Sequence, residues 1–241
     1  MINNFGVIVL VRYNSSRLYG KALLKLNGKP ALKYLIDRLI TLFKKEQIII
    51  ATSNENHDNE IEEFSMKNNL KCYRGSLKNV SKRFMEAAKI LNKKYSIRIT
   101  GDSIFIDTSI IKNIIKKVDS KHFIYSNRRC KMFPVGQTID IINTRKYIEY
   151  LNMFNSDDDF EHVTSYFFKN ENKFKIKHVN NHLGIMRDVS LGLDTTKDYQ
   201  NATIFLKNFK NYTPKTTYLE IYNYYNNLVV ICDAQKRTSN F

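Results

Sequence analysis

The sequence predicts an α/β protein built on a mostly parallel, Rossmann-like sheet. Apolar runs typical of strands buried on both faces alternate with segments in which apolar residues recur at helical spacing. Such alternation is typical of βαβ units, whose helices cover both faces of the sheet. In the first half, the predicted strands are residues 5–11, 47–52, 70–73 and 95–100, and the predicted helices are residues 30–43, 58–68, 80–91 and 110–118.

The second half of the chain is less regular. We predict strands over residues 122–125, 138–143, 174–178 and 228–232, and helices over residues 159–169, 198–209 and 217–226. The chain of 241 residues contains no repeat and no Gly/Ser-rich linker. We therefore predict one domain over residues 1–241, in which residues 127–190 form an inserted lobe for substrate binding and dimerisation.

Composition narrows the functional class. No apolar run is long enough to span a bilayer, so we expect no membrane insertion. The three cysteines, Cys72, Cys130 and Cys232, are too widely spaced for a zinc site or a disulfide framework, which favours a reducing cytoplasm. The net charge of +16 raises the hypothesis of a nucleic-acid-binding protein. The lysines are nevertheless spread along the whole chain, so we expect no nucleic-acid partner.

Three loops follow the predicted strands at the edge of the sheet where ligands bind in this class of fold, namely residues 12–21, 52–56 and 101–107. The first contains Arg12, Arg17, Lys21, two serines and a glycine, which are the donors that a triphosphate requires. It lacks the Walker A pattern. Composition alone leaves open whether this loop binds phosphates or is an ordinary charged surface loop, and its position after the first buried strand favours phosphate binding.

Two aspartates lie where predicted strands end. Asp102 is placed to hold Mg²⁺, whereas Asp107, just ahead of a helix, fits a helix cap better. Asp194 fits a second metal ligand, or else Asp194 or Thr195 is a helix N-cap, and spacing alone favours the cap. Glu161 and His162 lie on a predicted helix without the partners of a Ser–His–Asp or Cys–His arrangement.

The motifs together resemble the SpsF-like cytidylyltransferases, within the superfamily of CMP-Kdo and acylneuraminate cytidylyltransferases. That family opens roughly as R-x-x-S-[ST]-R-[LF]-P-G-K and continues as L-x-x-x-x-G-K-P, and this chain reads RYNSSRLYGK and LKLNGKP. The blocks IIIATSNENHDNEIEEF, CYRGSLKNVSKRF, RITGDSIFID, DFEHVTSYF and LGLDTTKDY also agree in order and spacing, over residues 5–230.

The resemblance implies a nucleotide-diphospho-sugar transferase fold and Mg²⁺-dependent transfer of CMP from CTP to a sugar acid or other small acceptor, with release of pyrophosphate. Arg12, Arg17 and Lys21 map onto catalytic phosphate contacts, and Asp102 and Asp194 map onto the metal carboxylates. Asp140, Glu161 and His162 are the expected acceptor contacts. The expected nucleotide-binding set is Val11, Arg12, Ser15, Ser16, Arg17, Lys21, Thr52, Ser53, Arg74, Gly75, Ser76 and Asp102. A homodimer that acts in surface polysaccharide assembly is expected.

The chain departs from the family pattern at two positions. Tyr19 replaces the proline of the phosphate loop, and Val135 replaces the aspartate of an F-P-D-G turn. The triphosphate-binding residues are thus complete, whereas the acceptor site is altered. Two alternatives stay open, a glycosyltransferase that uses a preformed nucleotide sugar and the basic nucleic-acid-binding protein.

Overall fold

The computed structural model describes residues 2–129, 132–183, 186 and 189–227, and it confirms the α/β architecture. The strands are β1 (Phe5–Leu10), β2 (Lys25–Leu26), β3 (Lys29–Pro30), β4 (Ile48–Ser53), β5 (Lys71–Gly75), β6 (Tyr95–Thr100), β7 (Ile124–Ser126), β8 (Asp140–Asn143) and β9 (Ile176–His178). The helices are α1 (Ala31–Leu39), α2 (Asn59–Lys67), α3 (Val80–Leu91), α4 (Thr108–Lys116), α5 (Thr144–Tyr150), α6 (Asp157–Glu161), α7 (Ser165–Lys169), α8 (Thr196–Asn208) and α9 (218–227).

Seven strands form one sheet in the order β5-β4-β1-β6-β8-β7-β9. Strands β5, β4, β1 and β6 are parallel, and β8 runs antiparallel to both of its neighbours. All residues of β1 and β4 are buried, as their uninterrupted apolar sequences predict for central parallel strands. The carboxyl ends of β1, β4 and β6 therefore meet at one edge of the sheet.

Helices cover both faces of this sheet. One buried apolar cluster joins the sheet to α1, α2, α4 and α8, and the other joins it to α3, α5 and α7. The region of the predicted lobe, residues 127–190, contributes β8 and β9 to the same sheet, so it is continuous with the main fold. No helix in the described part of the chain combines the length and the apolar character needed to cross a membrane.

Three local predictions differ from the structure. The single helix predicted over residues 159–169 is two short helices, α6 and α7, because the backbone is extended at His162. Helix α1 stops at Leu39 instead of residue 43, and Pro30 precedes its first turn. The stretch between the phosphate loop and α1, for which we predicted no strand, contains the hairpin β2–β3, whose turn residues Asn27 and Gly28 both have positive φ.

Asn-Gly is the preferred pair for such a two-residue turn, so the hairpin had a sequence signal that we did not use. The strand predicted over residues 228–232 lies outside the described residues, as do Cys130 and Cys232. Cys72 is a free, half-buried thiol.

Candidate active site

The loop that follows β1 is held at the edge of the sheet by both neighbouring strands. The amide of Val11 donates to Ala51 O of β4 at 3.2 Å, and the amide of Gly101, just after β6, donates to Leu10 O at 2.8 Å. A recess at this edge is lined by the predicted phosphate-loop residues and by the start of the loop after β6. Its lining includes Val11, Arg12, Ser15, Ser16, Arg17 and Lys21 from the first segment and Thr100, Gly101 and Asp102 from the second. The structure thus brings two of the three predicted loops together around one space.

Tyr19, at the position of the family's proline, packs its ring edge-on against Tyr13 with 5.3 Å between ring centroids. The Tyr19 ring also lies edge-on to the ring of His57, with 6.5 Å between ring centroids. The amide of Gly20 donates to Tyr13 O at 3.1 Å, and Gly20 has a φ of +64°, where glycine is favoured. Aromatic packing and this turn therefore constrain the loop where proline would have fixed φ.

Lys21 lies between the two predicted metal carboxylates. Its Nζ is 2.8 Å from Asp194 Oδ1 and 3.6 Å from Asp102 Oδ2, and all three side chains are largely buried. Arg17 Nη1 contacts the other oxygen of Asp194 at 2.6 Å. Two acids that are 92 residues apart in sequence therefore share one ammonium group, which offsets their mutual repulsion.

Backbone contacts account for the position of Asp194. The amide of Leu193 donates to Asp102 O at 2.8 Å, which places the next residue beside Asp102. The N-cap of α8 is Thr195, which forms a capping box with Asp198. Asp194 is therefore not the helix cap, and its carboxylate faces Lys21 instead. Asp107 caps α4, as predicted, by accepting from the amide of Ser109.

A cavity of about 730 Å³ opens on one side of the loop. It is strongly cationic, and the predicted residues Glu161 and His162 form part of its wall. Its lining residues are Leu10, Val11, Arg12, Arg17, Leu77, Lys78, Asn79, Val80, Arg83, Arg98, Thr100, Asp157, Phe160, Glu161, His162 and Val163.

A second cavity, of about 600 Å³, is lined by both predicted metal carboxylates, Asp102 and Asp194. Its apolar wall is the turn with Val135, whose side chain is 57% exposed. Its lining residues are Arg98, Thr100, Asp102, Ser103, Asn127, Arg128, Phe133, Pro134, Val135, Gly136, Thr138, Gly192 and Asp194. Arg98 and Thr100 line both cavities, so the two spaces meet at the end of β6.

Asp140, a predicted acceptor contact, is fully buried below this meeting point. It accepts from Ser126 Oγ at 2.6 Å and from Arg98 Nη1 at 3.2 Å, and Arg128 lies 3.7 Å away. Burial lowers the pKa of Arg98, and the Asp140 carboxylate opposes that shift. Asp140 thus positions two guanidinium groups whose side chains line the second cavity.

The predicted residues at the ends of β4 and β5 lie beside the cavities. Thr52 and Ser53 are buried, and Arg74 binds Ser53 O at 3.1 Å and Glu62 at 2.9 Å. Gly75 O accepts from the amide of Asn54 at 2.9 Å, and Ser76 Oγ accepts from the amide of Asn79 at 3.0 Å. None of these residues lines either large cavity. Residues 77–80, which follow them in sequence, line the larger one.

Three residues of the site were missed by our sequence reasoning. Asp58 is 1% exposed and accepts from the amide of Tyr13 in the phosphate loop. Arg83 is buried and Arg98 is 14% exposed, and both cations line the larger cavity. Burial lowers the pKa of Arg83 to about 10. All three lie inside the quoted family blocks. For Arg83 and Arg98, a charged residue next to core residues was the available signal.

The donor set at Asp102 and Asp194 fits Mg²⁺. This ion prefers oxygen ligands and usually takes one or two carboxylates, completing its shell with water and substrate phosphates. Among the described residues there is no group of three or more His, Cys, Asp or Glu that could enclose a metal alone. The pair beside the cationic loop is therefore suited to a metal that arrives with a polyphosphate.

The fold and this arrangement of acids and cations define a nucleotidyltransferase class of site, and comparison with known proteins agrees. A family model described as cytidylyltransferase matches residues 6–238. The spore coat polysaccharide biosynthesis protein SpsF of Bacillus subtilis is 25% identical over 208 residues, which cover 83% of this chain and 85% of that protein.

Two solved structures share the fold. A cytidylyltransferase from Leptospira borgpetersenii superposes with a TM-score of 0.88 at 24% identity, covering 95% of this chain and 96% of that one. A CMP:2-keto-3-deoxy-manno-octonic acid synthetase complexed with CTP gives a TM-score of 0.61 at 14% identity, covering 84% and 98%. Because the family model spans nearly the whole chain, this protein belongs to the cytidylyltransferase family.

Proposed function

We propose that this protein transfers CMP from CTP to a hydroxyl or acid oxygen of a small, sugar-derived acceptor. The acceptor oxygen forms a bond to the α-phosphorus, the bond from that phosphorus to the bridging oxygen breaks, pyrophosphate leaves and the acceptor loses its proton. The observation that carries the proposal is Lys21, held between Asp102 and Asp194 beside Arg12 and Arg17.

The cations and the carboxylates of the site have separate roles in this proposal. Arg12, Arg17 and Lys21 supply positive charge to the triphosphate, which favours the transition state because charge builds on the phosphate oxygens. Lys21 and Arg17 are both paired with Asp194. The triphosphate oxygens would attract these two cations, and Asp102 and Asp194 are the residues that would hold Mg²⁺. The bound metal would supply a Lewis acid that neutralises phosphate charge.

The two cavities suggest where each substrate lies. The cationic cavity that contains Arg12, Arg17 and Arg83 suits the nucleotide, and the cavity beside Asp102 with Phe133 and Val135 suits the acceptor. The name of the Bacillus subtilis relative, a spore coat polysaccharide biosynthesis protein, supports a role in surface polysaccharide assembly. A homodimer through residues 127–190 is part of the same proposal.

The metal-site assignment is tested by Asp102→Asn, assayed for pyrophosphate release from CTP with a panel of sugar acids. We expect turnover to fall by at least about 100-fold, because the substitution removes a charged ligand of the site. The thermal melting curve should stay near that of the wild type. Asp37→Asn is the matched control, since among the described residues this acid pairs with Lys29 of the hairpin and Lys33 of α1, away from the site. Unchanged turnover in Asp102→Asn contradicts the assignment.

The same assay distinguishes nucleotidyl transfer from the alternative reaction, glycosyl transfer. A glycosyltransferase that uses a preformed nucleotide sugar releases a nucleoside phosphate and leaves CTP intact. Pyrophosphate formed in equal amount to the CMP-linked product therefore favours nucleotidyl transfer.

A further inference from the structure

Asp58 is a buried carboxylate below the phosphate loop, 1% exposed to solvent. Its Oδ1 accepts from the amide of Tyr13 at 2.6 Å. Its Oδ2 accepts from the amide of Ser53 at 2.8 Å and also from the hydroxyl of Ser53. One side chain thus joins the loop after β1 to the end of β4, and these two segments lie about 40 residues apart in sequence.

The usual reason for an aspartate at this position does not apply. Asp58 is the N-cap residue of α2, where an aspartate normally accepts from the first free amides of its own helix. Within the described residues, its side chain makes no such hydrogen bond to α2. Both oxygens are directed instead to the two site-forming segments, which indicates a role outside helix capping.

The backbone on each side of Arg12 is held by a hydrogen bond to another segment. The preceding amide, of Val11, donates to Ala51 O, and the following amide, of Tyr13, donates to Asp58. The guanidinium of Arg12 has no hydrogen bond or ion pair among the described residues, although the residue lines the larger cavity. The direction of Arg12 therefore depends on its fixed neighbours.

The negative charge of Asp58 also raises the pKa of Arg83, which lines the same cavity as Arg12. Arg83 is buried, and the nearby cation of Arg12 lowers the pKa of Arg83 further, whereas the Asp58 carboxylate raises it. A buried anion beneath an anion-binding loop is unfavourable for the ligand by itself. It becomes useful where it offsets the repulsion between two cations that line one cavity.

We infer that Asp58 is a positioning residue, which fixes Arg12 for triphosphate binding by tying Tyr13 to the end of β4. The inference rests on the proposed CTP-dependent function, since Arg12 is assigned to the triphosphate there. It adds a residue outside the loop and the metal pair, and it explains why a buried acid lies beneath a phosphate site.

A double-mutant cycle tests this coupling through CTP affinity, measured by titration calorimetry with Mg²⁺ present. We expect Asp58→Asn to weaken binding about 10-fold and Arg12→Ala about 100-fold, as for the loss of charge-assisted hydrogen bonds. The double variant should bind about as weakly as Arg12→Ala alone, because Asp58 acts through Arg12. Independent, multiplying losses, or wild-type affinity in Asp58→Asn, overturn the inference.

Asp107→Asn is the matched control. This carboxylate is 3% exposed and also joins two distant segments, by accepting from the amides of Ser109 and Tyr218. It should lower the melting temperature while CTP affinity changes less than about 2-fold. Equal losses of CTP affinity in Asp107→Asn and Asp58→Asn would reduce Asp58 to a general structural role.

Amide hydrogen exchange in the wild type keeps the inference testable if Asp58→Asn does not fold. The amide of Tyr13 lies in an irregular loop, yet it should exchange at least about 100-fold more slowly than in an unstructured peptide. Rapid exchange contradicts the fixed loop. Wild-type protein that does not bind CTP at all contradicts the proposed function instead, so the two failures are distinguishable.

Discussion

At the scale of single residues, the site depends on charges that share partners. Lys21 serves two acids, and Asp140 serves Arg98 and Arg128. Removing Lys21 or Asp140 is therefore unfavourable, because two like charges that shared it are left close together with less access to water. Asp140 is more deeply buried than Lys21, so we predict that its loss affects mainly stability and that the loss of Lys21 affects mainly turnover.

Asp140→Asn should mainly lower stability. The carboxylate is completely buried, and its loss removes the charge that both guanidinium groups contact. We expect the free energy of unfolding to fall by about 3 kcal/mol, measured by urea denaturation. Arg145→Gln, which removes an exposed pair with Glu149, should cost less than about 1 kcal/mol. Equal costs for the two variants would show that the Asp140 network does not stabilise the fold.

Lys21→Gln should mainly lower turnover. Its ammonium group lies where the two acids meet the phosphate loop, and glutamine cannot supply its charge to the triphosphate. Loss of such a charged donor is expected to reduce kcat by about 100-fold or more, measured by pyrophosphate release. Lys25→Gln, on the exposed hairpin, is the control with unchanged turnover. Normal kcat in Lys21→Gln would remove this residue from the proposed machinery.

At the scale of elements, the turn over residues 133–136 supports the segment that carries Asp194. Leu191 donates its amide to Val135 O at 2.9 Å, and Gly136 lies against Gly192. A Cβ added at Gly136 would come 2.6 Å from the Gly192 nitrogen, and the φ of Gly136 is +88°. The turn therefore requires glycine for space as well as for conformation.

Gly136→Ala should displace the Leu191–Gly192 backbone and Asp194 with it. We expect turnover to fall at least about 10-fold, because small misplacements of site groups are costly. Gly28→Ala is a matched control, since Gly28 also has positive φ (+79°) but a Cβ there meets nothing within 4 Å. It should lower stability by about 1 kcal/mol with unchanged turnover. Equal turnover in the two variants would contradict the support assigned to the turn.

At the scale of the whole molecule, much of the sheet could be predicted because β1 and β4 are largely apolar runs and β6 alternates apolar and polar residues, with amphipathic helices between them. The rule that ligands bind beyond such strand ends then located Arg12–Lys21 and Asp102. Residue spacing could not place Asp194, because a contact between Leu193 and Asp102 brings it into the site. The same holds for Asp58 and Arg98, whose partners are distant in sequence.

The proposed reaction of the whole protein is tested most directly with CTP labelled at the α-phosphate, incubated with Mg²⁺ and a panel of sugar acids. We predict that the label passes to the acceptor as CMP and that one pyrophosphate is released for each product formed. Omitting Mg²⁺ or replacing CTP by ATP, GTP or UTP should abolish or strongly reduce transfer. Label that appears only as free CMP, or CTP that stays intact while a preformed nucleotide sugar is consumed, would contradict the account.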